Sequence, residues 1–276
     1  MTANSLLRTE PETSTTIVVR SVIFNVLFYL TLVVLMVGGL PMVLGGRRAI
    51  FALASVWRFV SVWLLAFVCG LKVEYRGVEN IPHGGVLIAA KHQSFLETFA
   101  LLKHAPDFAI ILKRQLTYIP LFGLYLIVSK QIAIDRSRGR KALQQIAAAA
   151  KPVLAAGRQI VIYPEGTRRL PGAPPKYKLG AAALYAETGA PCLPVAVNTG
   201  LFWRRRGFMR RPGIAVIEYL PPIAPGLDRE AFAARLQEVI EQACARLNAE
   251  AVALDPSLAA FLAQGASCDE SSAEPR

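Results

Sequence analysis

The stretch Gly85-Val86-Leu87-Ile88-Ala89-Ala90-Lys91-His92-Gln93-Ser94-Phe95-Leu96-Glu97 decides the fold. Its first six residues form a short, apolar, strand-like run, the pattern of a strand buried on both faces. Four residues later Ser94 stands before Phe95-Leu96-Glu97 as an N-cap with an acid at the third helical position. The spacing predicts a strand over Gly85 to Ala90 and a helix over Phe95 to His104. A strand that feeds a helix across a short rim is the repeating step of an α/β domain.

The same alternation continues outward. Further strands are predicted at Lys72 to Tyr75, Phe108 to Leu112, Ile132 to Ile134, Gln159 to Tyr163, Cys192 to Val197 and Ile214 to Tyr219. Helices are predicted at Leu121 to Val128, Arg140 to Ala156, Leu179 to Thr188 and Arg229 to Ala251. In the last, Phe232, Leu236, Val239, Ile240, Ala243 and Leu247 form one apolar stripe, and Asp228 is placed to cap it. The expected fold is α/β: a mixed, largely parallel sheet flanked by helices, over residues 72–252. Residues 253–276 are expected to be a tail, polar and disordered from Gln264.

Ahead of this body lies an apolar region. Ser21 to Gly46 carries no charge, and 26 helical residues would reach roughly 39 Å, more than a bilayer core. Gly38, Gly39 and Pro41 interrupt it, and Arg47 and Arg48 follow. A second apolar run, Ala49 to Leu71, contains Arg58, Trp57 and Trp63. Residues 21–71 therefore read as a membrane-associated two-helix hairpin, spanning or dipping into one leaflet, after a polar segment over 1–20. A signal peptide fits less well, because the run is too long and no small-residue cleavage site follows.

The formal charge is +12. Tyr163 to Gly213 holds nine bases and two acids, hence +7 of that total. Such a surface wants nucleic acid, a phosphoryl substrate or anionic lipid. The apolar N-terminal region decides for lipid and against nucleic acid. The four cysteines have no zinc or disulfide spacing, so a reducing setting is expected, with no metal and no cofactor.

His92, Lys113, Asp135 and Glu165 each stand just after a predicted strand. In open α/β sheets ligands bind beyond the carboxyl ends of the strands, so these residues are expected at one rim. His92 and Glu97 are five apart and would not share a face of one helix. With His92 before the helix and Glu97 in its first turn, the carboxylate can hold one ring nitrogen while the other takes a proton. The alternative is that Glu97 only completes a capping box with Ser94.

The second motif is Tyr163-Pro164-Glu165-Gly166-Thr167-Arg168. Arg168 is suited to hold a phosphate by paired charged hydrogen bonds. Glu165 is suited to accept from a glycerol hydroxyl or to orient Arg168, and Gly166 allows close backbone approach. The plain alternative is a tight turn with a surface ion pair.

His92 and Glu97 followed by Pro164-Glu165-Gly166-Thr167-Arg168 resemble the glycerolipid acyltransferase family, and within it the bacterial 1-acyl-sn-glycerol-3-phosphate acyltransferases. The resemblance covers roughly Lys72 to Leu220. Lys113-Arg114-Gln115-Leu116 with Ile134-Asp135-Arg136 is similar to a glycerol-phosphate-binding block, and Ala190-Pro191-Cys192-Leu193-Pro194-Val195 to one near the acyl donor. Glu97 and Gln115 depart from the usual Asp and Glu.

The resemblance implies that His92 and Glu97 are catalytic and that Lys113, Arg136, Glu165, Gly166, Thr167 and Arg168 bind substrate. It implies transfer from acyl-CoA or acyl carrier protein to the sn-2 hydroxyl of lysophosphatidic acid, giving phosphatidic acid at the cytoplasmic side of the inner membrane. Backbone amides near Ser94, or Lys113, are the expected oxyanion donors. Another lyso-lipid acceptor, such as lyso-ornithine lipid, keeps the same chemistry. A hydrolase is disfavoured, because no Gly-x-Ser-x-Gly elbow is present. The basic run Trp203 to Arg211 suits a bilayer interface, an acidic carrier protein or plain solvent.

Overall fold

The computed structural model describes residues 15–135 and 140–267. Two long helices come first: α1 (Thr15–Gly38) and α2 (Gly46–Cys69), joined by a 3-10 turn over Leu40–Gly45. Helix α1 begins at Thr15, inside the segment expected to be polar. Gly70 ends α2 in the left-handed conformation (φ 67°), donating its N–H back to Leu65 O.

The body carries β1 (Leu71–Arg76), β2 (Val86–Ala90), α3 (Leu96–Ala100), β3 (Phe108–Lys113), α4 (Phe122–Val128), β4 (Ile132–Ile134) and α5 (Arg140–Ala155). It continues with β5 (Gln159–Ile162), α6 (Leu179–Thr188), β6 (Cys192–Val197), β7 (Gly213–Tyr219), α7 (Arg229–Leu254) and α8 (Ala259–Ala266). The seven strands form one sheet in the order β1-β7-β6-β2-β5-β3-β4. Every neighbouring pair is parallel except β6 and β7. Hence β6, β2, β5, β3 and β4 all end on the same rim.

Side-chain alternation splits each central strand between two cores. Ile88 and Val161 face a cluster built with Phe24, Phe28, Leu65, Phe99 and Trp203. Leu87, Ile160 and Ile162 face Tyr185, Phe232, Leu236 and Ile240, from α6 and α7. The N-terminal hairpin is thus a covering layer of the sheet rather than an appendage. Arg58 lies close enough to Tyr75 and Tyr219 for its charge to act on both, so it faces the body. The opposite side of the hairpin exposes Ile23, Val26, Leu30, Val33 and Val37 on α1, and Phe59, Trp63 and Phe67 on α2.

Two expectations need correction. The predicted helix Phe95 to His104 is one α-turn, α3, followed by a 3-10 turn over Leu101–His104. The residues after 252 are not simply a tail. Helix α7 runs to Leu254, a 3-10 turn spans Pro256–Leu258, and α8 follows. Leu258 and Phe261, three apart, are buried in the hairpin-side core. Apolar spacing in this short segment outweighs the polar residues that follow it.

Phe28 is 2% exposed and packs against Trp57, Phe95, Phe99 and Trp203. Phe28→Ala should lower the unfolding free energy in detergent by about 3–5 kcal/mol. Val33→Ala, on the exposed side of the same helix, should change it by less than about 0.5 kcal/mol.

Candidate active site

The site starts from a strand end with too little room for a full loop. β2 stops at Ala90, α3 starts at Leu96, and the five residues between them turn the chain. Glu97 lies in the first turn of α3 and is fully buried. Its Oε1 accepts from the backbone N–H of Gln93 (2.8 Å) and of Ser94 (2.7 Å). The same oxygen lies 2.9 Å from His92 Nδ1. Oε2 accepts from Thr199 Oγ1 at 2.6 Å. Ser94 Oγ in turn accepts from the Leu96 N–H at 3.1 Å. One carboxylate thus both caps the start of α3 and holds the imidazole.

An ionised carboxylate can only accept, so Nδ1 of neutral His92 must carry the proton, leaving Nε2 bare. The ring stacks on Tyr163 at 4.0 Å between centroids. Burial, then the Glu97 charge, push the Tyr163 phenol well above its ordinary pKa, so it stays neutral. The His92 side chain is 16% exposed, open enough for a substrate to reach Nε2.

The 163–169 loop is tied to the same place. Arg169 donates its N–H to His92 O at 2.8 Å. Gly166 turns the chain at φ 68°, and a Cβ there would meet the Lys178 side chain at 3.3 Å. Thr167 and Arg168 are half-buried. Among the described residues Arg168 has no hydrogen-bond or ion-pair partner, the condition expected of a guanidinium kept for a ligand.

Glu165 is 1% exposed, and Oε1 pairs with Lys91 Nζ at 2.9 Å and lies 3.8 Å from Arg169 Nε. Its Oε1 is thereby committed to Lys91, while Oε2 has no hydrogen-bond partner among the described residues. Lys91 is buried too and also meets Glu241 of α7 at 2.6 Å. Tyr177 donates to that Glu241 oxygen at 2.9 Å. Burial opposes the Lys91 charge, but the two carboxylates outweigh it and hold its pKa above the ordinary value. Burial pushes the Glu165 carboxyl up against the pull of Lys91. This buried triad fixes the motif loop to β2 and α7.

The other expected residues divide. Lys113 ends β3 on the shared rim and is exposed. Arg136 lies outside the described residues. The amides of Gln93 and Ser94 are occupied by Glu97, so they are not free oxyanion donors; Lys113 remains. Thr199 was missed, although it follows β6 on that rim, where the strand-end rule points. Gln93 supports it, its Oε1 accepting from the Gly200 N–H at 3.2 Å.

Next to α3 lies an apolar cavity of about 270 Å³ between the hairpin and the body. Trp57, Phe95, Thr98, Phe99, Phe108 and Tyr125 are among its walls. A larger void of about 480 Å³ under the turn 220–227 contains none of these groups, so volume alone does not mark the site.

Residues 72–198 match the family model described as Acyltransferase. The chain is 41% identical over 157 residues to a 1-acyl-sn-glycerol-3-phosphate acyltransferase of Pseudomonas aeruginosa, covering 57% of this chain and 61% of that protein. It is 32% identical over 167 residues to one of Borreliella burgdorferi, covering 59% and 64%. The chain thus spans under two thirds of each relative. The crystal structure of a Thermotoga maritima 1-acyl-sn-glycerophosphate acyltransferase has the same fold, with a TM-score of 0.69 and 22% identity. That match covers 83% of this chain and 96% of the other. The matched segment contains His92, Glu97, Thr167 and Arg168, whereas Glu241 lies beyond it.

Lys91→Met strips the buried Glu165 and the part-buried Glu241 of the lysine they share, leaving only Arg169 at 3.8 Å from Glu165. It should cost about 3–5 kcal/mol in chemical unfolding. Adding Glu165→Leu and Glu241→Leu should recover most of that loss.

Proposed function

We propose that this chain transfers a fatty acyl group from a thioester to the free sn-2 hydroxyl of lysophosphatidic acid, giving phosphatidic acid. The observation that carries the reading is the His92–Glu97 pair, to which the loop carrying Arg168 is tied through the Arg169 N–H to His92 O bond. His92 Nε2 takes the proton of the acceptor hydroxyl as its oxygen attacks the thioester carbonyl. The tetrahedral intermediate collapses and expels the thiolate, which takes the proton back from the imidazolium. Glu97 offsets the transient positive charge on the ring. The chemistry as written balances without a cofactor.

Arg168 holds the acceptor phosphate, with Lys113 and Arg136 completing the basic rim. Gly166 and Thr167 shape the loop that presents it. Lys113 also faces the developing oxyanion. The acyl donor is acyl-CoA or acyl carrier protein, and its chain enters the cavity between hairpin and body. The names of the relatives favour lysophosphatidic acid over a lyso-ornithine acceptor.

The hairpin holds the domain to a membrane, in this reading the cytoplasmic side of the inner membrane. Helix α2 packs on the body from Ile50 to Cys69, and α1 joins the core through Ser21, Phe24 and Phe28. A perpendicular span would drag the polar body into the bilayer, so the hairpin dips its outer face into one leaflet.

His92→Ala should lower kcat by about 100- to 10,000-fold in a detergent assay with either donor, with normal unfolding. Glu97→Gln keeps an acceptor for both backbone amides, so it should lose a comparable factor in kcat at little cost in stability. Arg168→Gln should raise KM for lysophosphatidic acid by about 10- to 100-fold and leave donor KM unchanged. Full transfer by His92→Ala would refute the reading.

A further inference from the structure

The basic run from Trp203 to Arg211 is not a free loop. Arg210 is 5% exposed, stacks on Trp203 at 3.8 Å, and donates to Asn25 Oδ1 of α1 at 2.8 Å and to Gly207 O at 3.0 Å. Its backbone N–H donates to Ser21 Oγ of α1 at 2.9 Å. The loop is bolted to the helix whose outer face is exposed and apolar. Phe208, two residues away, is half exposed.

The neighbouring arginines are arranged differently. The Cζ atoms of Arg204 and Arg211 lie 4.7 Å and 4.5 Å from the centroid of the same ring, Phe261 of α8. Arg204 also hydrogen-bonds Gln264. Together with Leu170, Phe202 and Met209 these groups line a cleft of about 360 Å³. Among the described residues no carboxylate lies within ion-pair distance of Arg204 or Arg211. Burial lowers the pKa of both guanidiniums; at Arg211 the Asp255 charge opposes this and the Arg204 charge adds to it. Two like charges held around one ring, half out of water, have no paired carboxylate among the described residues.

We propose that the Arg204–Arg211 cleft takes the phosphate of an anionic membrane phospholipid, distinct from the acceptor phosphate at Arg168. This rests on the reading that the outer face of the hairpin lies in a leaflet. The cleft is joined to α1 through Arg210, which meets Ser21 and Asn25 in the first half of that helix. Its apolar walls suit the glycerol end of a lipid, and its guanidiniums suit the phosphate. The bound headgroup fixes how the domain sits on the bilayer.

The test is flotation of the full chain, carrying His92→Ala to prevent turnover, with vesicles of phosphatidylcholine alone or with added phosphatidylglycerol. Arg204→Gln with Arg211→Gln should weaken binding to phosphatidylglycerol vesicles by roughly 25-fold, about five-fold per arginine. Binding to phosphatidylcholine should stay unchanged, which also reports that the hairpin is folded. The charge-matched pair Arg229→Gln with Arg235→Gln, exposed on α7, should have little effect. Equal losses for both pairs would mean a diffuse field and overturn the cleft. So would a loss on both vesicle types. Unaltered vesicle binding with a raised acyl-CoA KM in neutral detergent, measured with His92 intact, would assign the cleft to the donor instead. A chain cut after Ser267 that binds phosphatidylglycerol far more tightly would make the acidic residues 269–274 its partner and also overturn the proposal. None of these outcomes depends on whether His92 is catalytic.

Discussion

Four donors converge on the buried carboxylate of Glu97: two backbone amides, the Thr199 hydroxyl and the His92 imidazole. A carboxylate removed from water is costly unless its lone pairs are filled, and here they are. The amides fix where α3 begins. Thr199 ties β6 to β2 across the rim. The imidazole, held on one side by the carboxylate and on its face by Tyr163, has one orientation and one free nitrogen. Removing Glu97 would loosen a helix start, an inter-strand tie and the His92 ring together.

The sheet makes this convergence inevitable. Five strands pointing the same way deliver their following loops to one rim, and the two loops that matter leave adjacent strands, β2 and β5. The Arg169 N–H to His92 O bond and the Lys91–Glu165 pair then lock those loops together. Glu241 adds a brace from α7. The buried ions supply little net stability by themselves, but breaking one partner is expensive, so they enforce this one arrangement. The hairpin completes the sandwich by covering the second face of the sheet, which places the site against the membrane-facing layer.

Most of this was legible in the sequence. The strands are short apolar runs bounded by turn residues, and all seven begin and end within one residue of their expected limits. His92, Glu97 and Arg168 stand where a strand-end rule and two motifs placed them. The pairing of Glu165 with Lys91 was not legible, because nothing in Pro164-Glu165-Gly166 tells that this acid meets a buried lysine at the end of another strand. Lys91 and Glu241 are 150 residues apart, and only the packing of α7 brings them together. Helix α8 was hidden because its two anchors, Leu258 and Phe261, are too few to form a periodic signal. Thr199 carries no motif; its role exists only because Gly200 lets Gln93 approach closely.

The central claim is a tautomer: neutral His92 carries its proton on Nδ1, toward Glu97, and offers Nε2 to the substrate. Nitrogen-15 chemical shifts of His92 in the detergent-solubilised protein, recorded where the imidazole is neutral, measure this directly. The account predicts a protonated Nδ1 and an unprotonated Nε2. A protonated Nε2 with a bare Nδ1 would contradict it, because no base would then face the acceptor hydroxyl.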